Sequence, residues 1–158
     1  MRYRPYASDD RPACLAIYDS NAERFFAPGD REVFIAFLER KQGFFGVLCD
    51  ESGAVAGCGG IGTHQDGKLA VLTWGMIHAQ RHGQGLGRAL ALARLRKLSD
   101  MTEVEKVILN TSNRTVGFYL KLGFRVARFV PNGYREGLDR YDLEMVVDEE
   151  MRRQFGAA

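Results

Sequence analysis

The run Arg81-His82-Gly83-Gln84-Gly85-Leu86-Gly87-Arg88-Ala89-Leu90 constrains the chain more than any other stretch. An extended-looking segment, Leu69 to Ile77, precedes it, and helix-favouring residues follow as far as Leu98. The order is strand, glycine loop, helix. Glycines permit positive φ and let a ligand approach bare main-chain amides. The first turn of a helix adds unpaired N–H groups and the positive end of the macrodipole. Together they form an anion site suited to phosphate or pyrophosphate. A P-loop needs Gly-Lys-Ser or Gly-Lys-Thr, and neither occurs. The dinucleotide fingerprint Gly-x-Gly-x-x-Gly fails too, because its last position falls on Arg88 or Leu90.

The 158 residues suit one domain with a real core. A net charge of +2 without a basic block argues against nucleic acid. Three cysteines, Cys14, Cys49 and Cys58, cannot all pair, and reduced thiols in a cytoplasmic protein are expected. The start, Met-Arg-Tyr-Arg-Pro, is not a signal peptide, and no apolar run approaches ~20 residues, so no membrane span is expected.

Taken in order, Met1 to Tyr6 reads as a strand. A helix capped by Ser8 runs to about Arg24, and a second covers Asp30 to Lys41. Phe44–Asp50, Ala54–Gly62 and Leu69–Ile77 read as three antiparallel strands. Glycines at 57, 59, 60 and 62 weaken the middle one and hint at close approach by something else. A mostly apolar, buried helix spans Gln84 to Asp100. Lys106–Asn110 is a strand reached by a crossover, hence parallel to Leu69–Ile77. Asn113–Leu122 is a short helix, with Asn113 as N-cap and Gly123 as a left-handed C-terminal cap. Phe124–Val130 and Arg140–Val147 are strands joined by a polar loop, Pro131–Leu138. Residues 1–147 are expected to form the domain, with 148–158 a charged tail or short frayed helix.

The glycine run resembles the acyl-CoA loop of the GNAT N-acetyltransferase superfamily, whose pattern is Gln or Arg, two residues, Gly, one residue, then Gly or Ala. His82 departs from it, with Arg81 adjacent. A second stretch, Asn113-Arg114-Thr115-Val116-Gly117-Phe118-Tyr119-Leu120-Lys121-Leu122-Gly123-Phe124, resembles the family's other signature: an Asn, a short helix with an aromatic-Tyr pair, and Gly-Phe. Two motifs in the right order, on matching elements, are far more specific than one. The resemblance covers about residues 1 to 147 and implies an α/β (α+β) fold. Its mixed sheet has about seven strands, a splayed parallel pair and about four flanking helices.

The resemblance also implies function. Acetyl-CoA is the expected cofactor and a primary amine of a small molecule or peptide the acceptor. The diphosphate would lie on His82, Gly83, Gln84, Gly85, Leu86, Gly87 and Arg88. The pantetheine arm would lie along Gly75, Met76 and Ile77 and near Asn113. Gly75 in mid-strand suits a ligand pressed against it, or equally a β-bulge. Tyr119 is the expected proton donor to the leaving thiolate, against core packing beside Phe118. Acceptor-side candidates are Asn21, Phe25, Phe26, Trp74, Tyr134 and Asp139, with the 132–139 loop covering the site. No general base stands out: Leu72-Thr73-Trp74 carries no acid, and a base acting through ordered water is expected. The alternative is a non-catalytic CoA-sensing or partner-binding module on the same fold. Homodimers are common in the family.

Overall fold

In the computed structural model, which describes residues 1–40 and 43–156, the turn signals do what their chemistry requires. Asp50 Oδ1 accepts from the Ser52 and Ala54 amides, and Gly53 takes φ +87. This closes the hairpin between β2 (Phe44–Cys49) and β3 (Val55–Thr63). Gly67, at φ +71, does the same between β3 and β4 (Leu69–Ile77). With β1 (Arg2–Pro5), β5 (Lys106–Ser112), β6 (Arg125–Arg135) and β7 (Leu138–Val146), these strands form one seven-stranded sheet in the order β1-β2-β3-β4-β5-β7-β6.

Helices cover both faces. On one face, α1 (Arg11–Phe25) and α2 (Asp30–Arg40) bury Cys14, Ile17, Tyr18, Phe34 and Leu38 against Val47, Cys58 and Met76. On the other, α3 (Leu86–Ser99), α4 (Val116–Lys121) and α5 (Glu149–Phe155) cover Ile61, Leu72, Val107 and Leu143. This is a three-layer sandwich around a mixed sheet. The expected end of the second helix at Lys41 lies outside the described residues.

Among the described residues the only parallel pair is β4–β5, and it is short: Leu69, Ala70 and Val71 pair with Lys106, Val107 and Ile108. Beyond Val71 the two strands run on unpaired with each other, to Ile77 and Ser112. The expected splay is therefore present at the centre of the sheet.

A bulge in β4 lies at the splay. Cys58 pairs with Met76 and Gly60 with Thr73, so Trp74 and Gly75 together face Gly59. Trp74 takes φ +47, unusual for a bulky side chain. The extra residue reverses the facing of the strand. Leu72 faces α3, whereas Trp74 and Met76 join the aromatic cluster under α1 and α2. Gly75 thus meets the bulge expectation. It belongs to a bulge, and what presses on it is a side chain: a Cβ there would lie 2.6 Å from Arg94 Nη2.

The glycines of β3 make room for the protein's own groups. A Cβ on Gly59 would lie 3.1 Å from the Gly75 Cα, and one on Gly57 would strike Ile77. Three boundaries also differ from expectation. The segment 131–138 is mostly strand, with a bulge at 131–134 and a tight Glu136-Gly137 turn. Helix α4 begins at Val116 with Thr115 at its N-cap, so Asn113 is not the cap. The charged tail folds back as α5, burying Met151 and Phe155 in the core, the fifth α-helix among the described residues.

Candidate functional site

Helix α3 starts where the chain reverses sharply. Gly83 and Gly85 take φ +78 and +77, and Gly85 is the N-cap residue of α3. Added Cβ atoms at Gly83, Gly85 and Gly87 would meet nothing within 4 Å. Packing therefore does not demand these glycines. They leave a bare, open concavity of main-chain amides at the positive end of a buried helix. A diphosphate fits this cradle chemically. Arg88 is exposed on the first turn, beside it.

The loop is anchored by its flanks. Arg81 donates from Nε to Gln84 Oε1 (2.9 Å) and from Nη1 to Asp50 Oδ2 (3.0 Å). The Ser52 hydroxyl, then Arg81, hold the Asp50 carboxyl down to about 2. His82 Nε2 lies 2.9 Å from the Ile77 carbonyl oxygen, so this nitrogen carries the proton and donates. Phe25 packs edge-on against the imidazole at 6.1 Å. The His82 side chain thus ties the loop back to β4. Asn21, only 4% exposed, donates from Nδ2 to the Ile17 and Ile77 carbonyls, 2.8 Å each. Ser20 Oγ accepts from the Ala79 amide at 3.0 Å. The C-terminal half of α1 therefore holds the β4–α3 junction.

At the splay, the His78 amide donates to the Ala56 carbonyl. By alternation the main-chain groups of Ile77 face away from β3, towards the space β5 has left. Helix α4 follows the end of β5. Tyr119 is half-buried, packed edge-on against Phe118 (4.9 Å) and Phe124 (5.8 Å). Its position is fixed by the turn at Gly123, φ +100, where the Phe124 amide donates to the Tyr119 carbonyl and the Gly123 amide to Leu120. No hydrogen bond engages the Tyr119 hydroxyl among the described residues. Asn113 is exposed in the turn before α4.

On the α1–α2 face, Trp74 lies 6.2 Å from Phe26, stacked, and 4.8 Å from Phe34. The β6–β7 hairpin bends towards this region. Tyr134 donates its hydroxyl to Asn110 Oδ1 at the end of β5 (2.6 Å), and Arg135 Nη2 donates to the Glu23 carbonyl of α1. Burial pushes the Tyr134 phenol up to about 12, so it stays protonated at neutral pH. Asp139 is occupied elsewhere: its Oδ1 accepts the Asn132 amide and holds the β6 bulge.

Of the sequence candidates, the structure brings together Trp74 with Phe26, Asn21 with Ile77 and His82, and Phe25 with His82. Asn110 and Arg94 were missed; nothing in their local pattern marks them. Among the described residues, no helix is long and apolar enough to cross a membrane, and no cluster of His, Cys, Asp or Glu could hold a metal.

Comparison with known proteins agrees with this geometry. Residues 16–154 match the acetyltransferase (GNAT) domain. The chain belongs to the GNAT acetyltransferase family. No curated protein matches the sequence. Among solved structures it is similar to one provisionally assigned as a phosphinothricin N-acetyltransferase (TM-score 0.80, 21% identity, covering 94% of this chain and 99% of that one). It is also similar to the ribosomal-protein-S18-alanine N-acetyltransferase of Escherichia coli (TM-score 0.75, 20% identity, 93% and 94% covered). A third is an aminoglycoside 6′-N-acetyltransferase complexed with coenzyme A (TM-score 0.73, 11% identity, 94% and 98% covered). At such identities the likeness speaks to the fold.

Proposed function

We propose that the protein is an acetyl-CoA-dependent N-acetyltransferase acting on a primary amine of a small molecule or peptide. One observation carries the reading: the open amide cradle of Gly83, Gly85 and Gly87 sits at the head of a buried helix, beside two parallel strands that part company. Gln84, Leu86, Arg88 and His82 complete the loop, and Asn113, in the turn that follows β5, is the candidate for the pantetheine arm on that strand's side. Bound acetyl-CoA supplies the thioester: the amine lone pair forms the N–C bond, the C–S bond breaks, and its electron pair leaves on sulfur. The chain does the rest. The cradle amides bind the diphosphate. The β4 edge at Gly75, Met76 and Ile77 orients the arm. Tyr119 Oη holds the proton that neutralises sulfur. The amine's surplus proton passes to solvent water. Trp74 and Phe26 wall the acceptor side and keep water out, under the strap made by Tyr134 and Arg135.

A second reading, a CoA-binding module without turnover, is favoured by the histidines. His82 donates from Nε2 to Ile77 and His78 Nδ1 accepts the Gln80 amide, so both rings are engaged in holding the loop. The two readings separate in one set of measurements. Calorimetry is expected to show micromolar acetyl-CoA binding that neither ATP nor NAD displaces. A thiol-release assay across polyamines, amino acids, aminoglycosides and peptide N-termini is expected to find an acceptor. Tyr119→Phe is expected to lower kcat about a hundredfold, within the usual range for a general acid, with CoA affinity nearly unchanged. Binding without release for any amine would favour the module; a fully active Tyr119→Phe would remove the proton-donor role.

A further inference from the structure

Arg94 is the largest of the fully buried side chains, 2% exposed, and it lies in the middle of the face that α3 turns to the sheet. Its guanidinium lies flat behind the β4 bulge. A Cβ on Gly75 would be 2.6 Å from Nη2 and 2.8 Å from Nη1; one on Gly59 would be 3.2 Å from Nη1. Nε has no hydrogen-bond partner. Among the described residues no carboxylate forms an ion pair with it. The titratable groups that act on it electrostatically are Tyr3, reaching over from β1, and Cys58 on β3. Burial pushes Tyr3 up to about 12, and the Cys14 thiol and burial push Cys58 well up. Both are neutral at physiological pH, so neither is a counter-ion. Burying a charge without a partner is costly, and an apolar side chain of similar volume would serve the core better.

We propose that Arg94 is an electrostatic positioning group for the leaving sulfur, a positive charge held behind Gly75 to stabilise the negative charge that gathers on a ligand lying along β4. This rests on the acetyl-CoA reading above. The guanidinium need not touch the ligand. It acts across the thin glycine backbone of Gly75 and Gly59, where no side chain intervenes. A field aimed where charge develops lowers the barrier without lowering ground-state energy. The amide cradle fixes the diphosphate end, so the charge of Arg94 affects turnover and thiol acidity rather than capture.

The test uses the whole chain with CoA and acetyl-CoA. The thiol of CoA bound to the unmodified protein, followed by thiolate absorbance against pH, is expected to ionise about one unit below that of free CoA, a tenfold change in equilibrium. Tyr119, Tyr3 and Cys58 are the other titratable groups facing this region, and their phenol and thiol forms are followed in the ligand-free protein as the blank. Arg94→Met is expected to return the bound thiol to the free value and to lower kcat about tenfold, while the Kd for acetyl-CoA stays within about twofold and the Tm does not fall. Arg94→Lys, which keeps the charge, is expected to restore part of the shift. An unshifted thiol on the unmodified protein, or a folded Arg94→Met variant that keeps kcat and the thiol shift, overturns the inference and makes Arg94 a structural residue. Failure of the unmodified protein to bind CoA at all overturns the acetyl-CoA reading and this inference with it.

Discussion

At Gly87 the backbone is helical, and an added Cβ would meet no atom within 4 Å. Gly83 and Gly85 are different, since their positive φ would strain any L side chain. Gly87 therefore separates folding from binding. Valine is a better helix residue than glycine by a few tenths of a kcal/mol, so Gly87→Val is expected to leave the Tm unchanged or slightly raised. Its branched side chain would nonetheless project into the cradle and keep a diphosphate away from the amides. Calorimetric affinity for acetyl-CoA is expected to drop more than about tenfold, the loss of at least one charge-assisted hydrogen bond. A folded Gly87→Val that binds acetyl-CoA as tightly as the parent would show that the loop is not the diphosphate site. The sequence disclosed this position because alternate glycines before a helix have few other uses. It did not disclose Arg94, since an arginine late in a helix reads as a cation suited to the negative helix end until the sheet is seen beneath it.

Elements with a strong local signal came out of the sequence nearly intact. The three antiparallel strands, the crossover and the Gly123 cap follow from turn chemistry and alternation, and the structure moves their ends by a residue or two. Elements whose signal is tertiary did not. Pro131, Asn132 and Gly133 are turn residues, and a polar loop is the natural expectation. They form instead a bulge, with Asn132 at φ +51 and its Oδ1 accepting the Gly137 amide, inside a continuous hairpin. The trace of α5 was present but slight: Met151 and Phe155, four apart among charges, are both buried. What secures α5 is Arg152. Its guanidinium donates to the Ser99 carbonyl at the end of α3 and to the Met101, Thr102 and Val104 carbonyls of the segment that follows. Arg152→Ala is expected to lower stability by about 3 kcal/mol, since hydrogen bonds to a charged donor are worth more than neutral ones. Urea unfolding would measure it, with exposed Arg153→Ala as a control expected within about 0.5 kcal/mol of the parent. Equal effects of the two substitutions would mean that α5 is held by its apolar face alone.

Across the whole molecule, the layered packing sets the pH range in which the fold can exist. Of six tyrosines, three are placed where an ionised phenol has no support. Tyr3 crosses β2 to donate to the Gly59 carbonyl at 2.7 Å. Tyr18 is sealed among Phe26, Phe34 and Trp74. Tyr134 lies against Asn110 under the hairpin. Burial pushes each up to about 12. In the unfolded chain a phenol ionises near 10, so the unfolded state releases its protons first as pH rises. The stability these groups contribute is fully present below about pH 10 and is lost as pH climbs from there through 12. The acid side has the opposite sign. The Arg4 side chain, hydrogen-bonded at 2.7 and 2.8 Å, holds the Asp10 carboxyl below its ordinary range. Its contribution is present above about pH 3.9 and is lost as pH falls further. A stability plateau between about pH 5 and 10 is therefore expected, with urea midpoints declining on both sides. Tyrosinate absorbance separates the alkaline limb from a general charge effect. The Tyr3, Tyr18 and Tyr134 phenols should ionise only together with unfolding. Tyr3, Tyr18 and Tyr134 ionising near pH 10, in a chain still folded by circular dichroism, would mean that the packing does not shield these phenols, and with that would go the layered packing that holds Trp74, Gly75 and the splay in place.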